Sequence, residues 1–152
     1  EVAALQPDRC REVFDDAMFF LLRFTNLVTV NRDGRVVCSA LAMPQGGRVN
    51  VKPELYLQRL LVRPGFTVGE PNPTGATTGR PNIALAVPLG AGALDEAEPI
   101  AGALVLGLDP QRLALQMPDL PGIGGLVLTR SGHVALASHG QRGLIGTHLP
   151  EA

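Results

Sequence analysis

The chain has 152 residues, 45% of them apolar, and a formal net charge of −1. That length and composition suit one domain with a sizeable core and exclude a disordered segment. A near-neutral chain with no run of like charges gives no reason to expect nucleic acid as a partner.

No stretch reaches the roughly 20 apolar residues of a membrane span. The densest apolar run, Ala17–Leu22, is flanked by Asp15, Asp16 and Arg23. Without an initiator methionine or a signal peptide, the sequence reads as an excised piece of a longer protein.

In chain order, Pro7-Asp8 offers a helix start with Asp8 as N-cap. Cys10, Val13, Phe14, Ala17, Leu21 and Phe24 then fall on one helical face. Leu27–Ala40 (LVTVNRDGRVVCSA) is a hairpin with Gly34 in its turn. After a Pro- and Gly-containing loop, Pro53–Arg63 reads as a short helix with proline in its first turn. Phe66–Glu70 is a short strand, and Pro71–Pro81 a loop or broad hairpin tip. Asn82–Leu89 and Ile100–Leu108 are buried strands. Asp109-Pro110 opens another short helix, which Pro118 ends. A second hairpin, Leu126–Ala137 (LVLTRSGHVALA), carries Gly132 in its turn, and a polar tail follows.

This order predicts an α+β protein. An antiparallel five-stranded sheet is covered by helices and preceded by a long N-terminal helix, and an additional β-hairpin follows. The two turn glycines lie 98 positions apart. We read that offset as the length of one unit rather than as a tandem repeat. The chain divides into residues 1–121 and a hairpin with tail at 122–152. The two cysteines, Cys10 and Cys38, are either free buried thiols or a disulfide. A helix packed over the first hairpin brings such positions together.

VNRDGRVVCSA (30–40), YLQRLL (56–61), FTVGE (66–70), TTGRPNIALAVPL (77–89) and GALVLGLDP (102–110) together resemble the extracytoplasmic Cache sensor domains. The likeness is greatest to the double Cache domains of bacterial diguanylate cyclases and histidine kinases. The resemblance implies a PAS-like antiparallel sheet with a small-molecule pocket over it. It implies a periplasmic location in an inner-membrane protein, with membrane contact only through flanking segments. It also implies a cysteine pair like Cys10 and Cys38, which supports the disulfide, and a second, membrane-proximal module opened by the second hairpin.

Candidate ligand-binding residues are Tyr56, Arg59, Glu70, Arg80 and Asp109. Tyr56 and Arg59 are three apart on a helix, and an arginine fork suits a carboxylate. Arg80 lies in the segment that borders the family's pocket, or else in a solvated loop. Asp109 suits a helix N-cap or a ligand amine. Glu70 suits either the ligand or an arginine partner. The family's amino-acid-binding pattern of dense Tyr, Trp, Arg and Asp is missing, because the chain has one Tyr and no Trp. That leaves a small organic acid, or an empty pocket. No nucleophile motif, phosphate loop, metal-ligand spacing or cofactor motif stands out.

The expected function is therefore a non-catalytic, ligand-sensing input domain of a transmembrane signalling protein, with a homodimer contact through the N-terminal helix. The alternatives are a ligand-free structural or dimerisation module of the same fold, and a cytosolic PAS-like cofactor-binding domain.

Overall fold

The computed structural model describes residues 10, 13–14, 16–17, 24–42, 49–90, 100–116 and 124–150. Its strands are β1 (Phe24–Asn31), β2 (Val36–Ser39), β3 (Thr67–Asn72), β4 (Asn82–Leu89), β5 (Gly102–Leu108), β6 (Leu126–Leu128) and β7 (Val134–Ala137). Helix α1 (Leu55–Val62) precedes β3, and α2 (Pro110–Ala114) follows β5. A 3-10 helix, His139–Leu144, follows β7.

The first five strands form one antiparallel sheet in the order β2-β1-β5-β4-β3. β6 and β7 form a separate two-stranded sheet. The α+β expectation and the extra hairpin both hold. Residues 10, 13, 14, 16 and 17 are helical, while the rest of the expected N-terminal helix, with its Asp8 cap, lies outside the described residues. Phe24, assigned to that helix by periodicity, is instead the first residue of β1. Val13 faces solvent at 66% exposure. The apolar spacing continued past the helix because β1 is itself apolar. The expected strand at Phe66–Glu70 runs on to Asn72. Pro71 is tolerated because β3 is an edge strand, and the register shifts between Val68 and Pro71.

The period of two along each strand divides the sheet into two faces. On one face Val28, Val30, Ala84, Ala86, Ala103 and Val105 pack against Tyr56, Leu57 and Leu60 of α1. The alanines of β4 and β5 leave room for the helix. Leu57 and Leu60 are fully buried, each worth about 1.5–3 kcal/mol. On the other face Leu27, Cys38, Leu104 and Leu106 meet Cys10 and Phe14. Cys10 and Cys38 form a disulfide with Cα atoms 6.0 Å apart. It ties the helical segment to β2.

The two hairpins share far more than a turn glycine. Val28↔Ser39, Thr29↔Cys38 and Val30↔Val36 pair in the first. Leu126↔Ala137, Val127↔Leu136 and Leu128↔Val134 pair in the second, with the register shift at the same step. Gly34 has φ +76° and Gly132 φ +81°, a left-handed conformation that glycine adopts without steric cost. Val51 N–H donates to the Gly34 carbonyl, and Leu149 N–H donates to the Gly132 carbonyl. The isolated bridges Arg35↔Asn50 and His133↔His148 obey the same offset of 98. Among the described residues, the backbone pairing of 27–42 and 49–51 therefore recurs at 125–140 and 147–149 with a constant offset. The expectation that the offset was no tandem repeat is corrected for this stretch.

Candidate functional site

Strand alternation places one polar residue after another on the α1-side face of the sheet. Asn26 and Val28 of β1, Val105 and Gly107 of β5, Asn82 and Ala84 of β4, and Glu70 and Asn72 of β3 floor a cavity. Val51, Glu54 and Tyr56 wall it from the α1 side, and Ala76 and Thr77 from the loop after β3. The cavity is partly open to solvent, and its volume is about 40 Å³.

Tyr56 is buried at 7% exposure, and its hydroxyl makes no hydrogen bond to a described residue. Burial raises the phenol above its ordinary range, and Glu54 adds to the effect. A Cβ at position 69 would stand 3.1 Å from Cδ1 of Tyr56, so Gly69 lets the ring lie against β3. Thr77 is buried at 9% exposure, and neither its side chain nor that of Asn82 hydrogen-bonds a described residue.

Other polar groups in the lining are already engaged. Asn26 accepts from the Leu27 and Leu41 amides and donates to Ser39 Oγ. Asn72 accepts from the Thr74 amide and donates to Glu54 Oε1 at 3.5 Å. Glu70 Oε2 is buried without a hydrogen bond, and Nδ1 of His133 lies 3.8 Å from it. Glu70 thus touches the cavity on one side and the second hairpin on the other.

The five candidate residues separate into three places. Tyr56 and Glu70 line the cavity over the sheet. Arg59 is exposed and borders an open groove of about 700 Å³ with Val62, Phe66 and Val68. Three residues of helix turn Arg59 outward while Tyr56 points in. Arg80 and Asp109 meet in another hollow, with Gln111, Arg112 and Arg142. There Asp109 caps α2, accepting from the Gln111 and Arg112 amides at 2.9 and 3.1 Å, and pairs with Arg112 Nε at 3.5 Å. The basic side chain beside Glu70 is a histidine, His133, rather than the arginine considered from sequence.

Glu54, Asn72, Thr77 and Asn82 were not singled out from sequence. Asn72 and Asn82 sit opposite each other where β3 and β4 meet the loop. A polar residue at a strand end looks like a turn former until the sheet order is known. His133 and His148, far apart in sequence, have ring centroids 5.1 Å apart across the second hairpin's bridge. Among the described residues no group of three metal-ligating side chains forms.

No protein-family model and no curated protein sequence matches the chain. Solved structures do. The sensor domain of the V. cholerae histidine kinase DctB superposes with a TM-score of 0.70 at 15% identity, over 95% of this chain and 52% of that one. The ligand-binding domain of the Pseudomonas aeruginosa amino-acid chemoreceptor PctC, in complex with GABA, gives 0.63 at 20% identity, over 87% and 57%. That of the Pseudomonas fluorescens chemoreceptor CtaA, in complex with L-alanine, gives 0.65 at 18% identity, over 94% and 59%. The chain thus spans about half the length of these structures. With its sheet order, its helix-covered polar cavity and these matches, the chain carries the Cache-type fold of receptor sensor and ligand-binding domains.

Proposed function

We propose that the chain is an extracytoplasmic small-molecule input domain of a transmembrane signalling protein, and that the cavity over the five-stranded sheet is its ligand site. The observation that carries this reading is the cavity itself. It holds Tyr56, Thr77 and Asn82 with unused hydrogen-bonding capacity in a fold whose solved examples include complexes with amino acids and GABA. Glu70 Oε2, on another residue of the lining, is buried without a hydrogen bond, which is costly, and a ligand that supplies a donor recovers that cost. Tyr56 and Glu70 contact the ligand directly. Arg59, Arg80 and Asp109 lie outside the cavity, so their contribution is to the surface and to the α2 cap.

The disulfide supports an oxidising, periplasmic location. Residues 1–121 make up the sensing unit, and 122–152 open a membrane-proximal second module. The recurrence of the first hairpin's hydrogen-bond pattern at a constant offset supports that division. The domain catalyses no reaction of its own. A ligand signals by binding one of two conformations more tightly, and the homodimer contact through the N-terminal helix transmits the shift.

A thermal-shift screen of amines, amino acids and small organic acids tests the site. A binder raises the melting temperature by mass action, and Tyr56→Phe weakens the response. If no compound in the screen moves the melting temperature, the chain is a structural module of the same fold.

A further inference from the structure

We infer that the open hollow bordered by α2 and the 3-10 helix binds a phosphate monoester, at a site separate from the cavity over the sheet. Arg80 reaches it from the loop before β4, Arg112 from α2 and Arg142 from the 3-10 helix. Among the described residues that line it, Asp109 is the only carboxylate, and that group is already engaged. It caps α2 through two backbone amides and pairs with Arg112. The Arg80 and Arg142 guanidiniums have no ion pair and no hydrogen bond among the described residues. Nε of Arg142 is also buried.

Two guanidiniums without a counter-charge beside one space repel each other, and an anion placed there relieves the repulsion. A phosphate monoester carries close to two negative charges and offers three terminal oxygens. It serves both arginines at once, because a guanidinium fork pairs bidentately with phosphate oxygens. The Gln111 side chain, in the same lining, adds an amide donor. The volume of about 420 Å³ exceeds what a free phosphate fills and lies within the ordinary range of small-molecule sites. Pro81 and Leu115 give the ester group an apolar wall. Leu115 is 64% exposed, so covering it is favourable. Because Nε of Arg142 is buried, folding has already met part of the desolvation cost of pairing there.

The experiment titrates the whole chain with phenyl phosphate, phenyl sulfate, inorganic phosphate and glutarate at about pH 7.5, in Tris chloride at fixed ionic strength. There a phosphate monoester is above its second pKa of about 6 and is a dianion, while phenyl sulfate has a similar shape and one charge. Isothermal titration calorimetry is the readout. Phenyl phosphate is expected to bind at least about tenfold more tightly than phenyl sulfate or inorganic phosphate. Arg80→Gln and Arg142→Gln are each expected to weaken it at least about tenfold. Arg59→Gln, on another surface, is expected to leave it unchanged. Arg80 is exposed, so Arg80→Gln tests the site even where Arg142→Gln disturbs the fold. The ligand joins a loop of the five-stranded unit to the 3-10 helix, so hydrogen exchange is expected to slow at the Gln141 and Ile145 amides.

Phenyl phosphate binding that is unchanged by Arg80→Gln and Arg142→Gln, or that slows exchange at neither amide, puts the ligand elsewhere and overturns the proposal. Phenyl sulfate binding equally well removes the need for two charges, and inorganic phosphate binding equally well removes the ester group; either result overturns it. Glutarate binding that Arg80→Gln weakens, with phenyl phosphate inert, makes the hollow a dicarboxylate site and overturns it too. No response to any of the four also overturns it. None of these outcomes bears on the cavity over the sheet, whose screen is read with Tyr56→Phe.

Discussion

Tyr56 joins the chemistry of the cavity to the stability of the chain. Its phenol is raised above an ordinary value near 10, first by burial and second by Glu54. The unfolded chain gives up this proton at about pH 10, while the folded chain keeps it to higher pH. Between those values the unfolded state binds fewer protons, so stability is intact below about pH 10 and falls as pH rises beyond it. Tyr56 is the sole tyrosine. Tyr56→Phe is therefore expected to flatten the alkaline fall in melting temperature, measured from pH 8.5 to 11. An alkaline limb identical in the two proteins would count against burial of the phenol.

At the scale of elements, α2 is only five residues long and depends on its start. Asp109 accepts two backbone N–H groups there, and Pro110 presets the first turn. Asp109→Ala is expected to cost about 1 kcal/mol and to lower the melting temperature by a few degrees. Ligand affinity is expected to stay within about twofold, since Asp109 lies outside the cavity; a large loss of affinity measured by calorimetry would return Asp109 to the ligand site. The disulfide acts between elements. It closes a loop with a sequence separation of 28, worth about 3–4 kcal/mol by the chain-entropy relation. The Cys10→Ala, Cys38→Ala double variant is expected to lose about that much in urea denaturation, with the sheet retained by circular dichroism.

At the scale of the whole molecule, three apolar clusters stand out among the described residues. Two flank the five-stranded sheet, and the third, Val134, Ala137 and Ile145, belongs to the second hairpin. The hairpin meets the sheet through His133 beside Glu70 and Gly146 against Pro73. Gly146 has φ +85°, and a Cβ there would stand 2.9 Å from the proline ring nitrogen. Gly146→Ala is expected to cost at least about 1 kcal/mol through the left-handed backbone alone. Hydrogen exchange is expected to quicken at the Val134, Gly146 and Leu149 amides while β1 and β5 stay protected. Uniform loss of protection across both sheets would show that the hairpin and the five-stranded unit unfold as one.

Local rules made the hairpins, the two short helices and the buried strands legible, because turn glycines, capping residues and apolar runs act over a few positions. The cysteine pair was legible from the resemblance together with the helix-over-hairpin placement. The end of the N-terminal apolar pattern was not, since periodicity does not distinguish a helix face from the buried strand that follows it. The candidate site was legible only in part. Tyr56 and Glu70 were identified, but Glu54, Asn72, Thr77 and Asn82 enter the cavity because the order β2-β1-β5-β4-β3 stacks distant strands side by side. The same long-range pairing sends Arg59 and Arg80 to other surfaces. Sequence by itself determined which segments pair locally and turn. Only the tertiary structure decided which polar side chains share one buried space, because that depends on sheet order and facing, which no local interaction specifies.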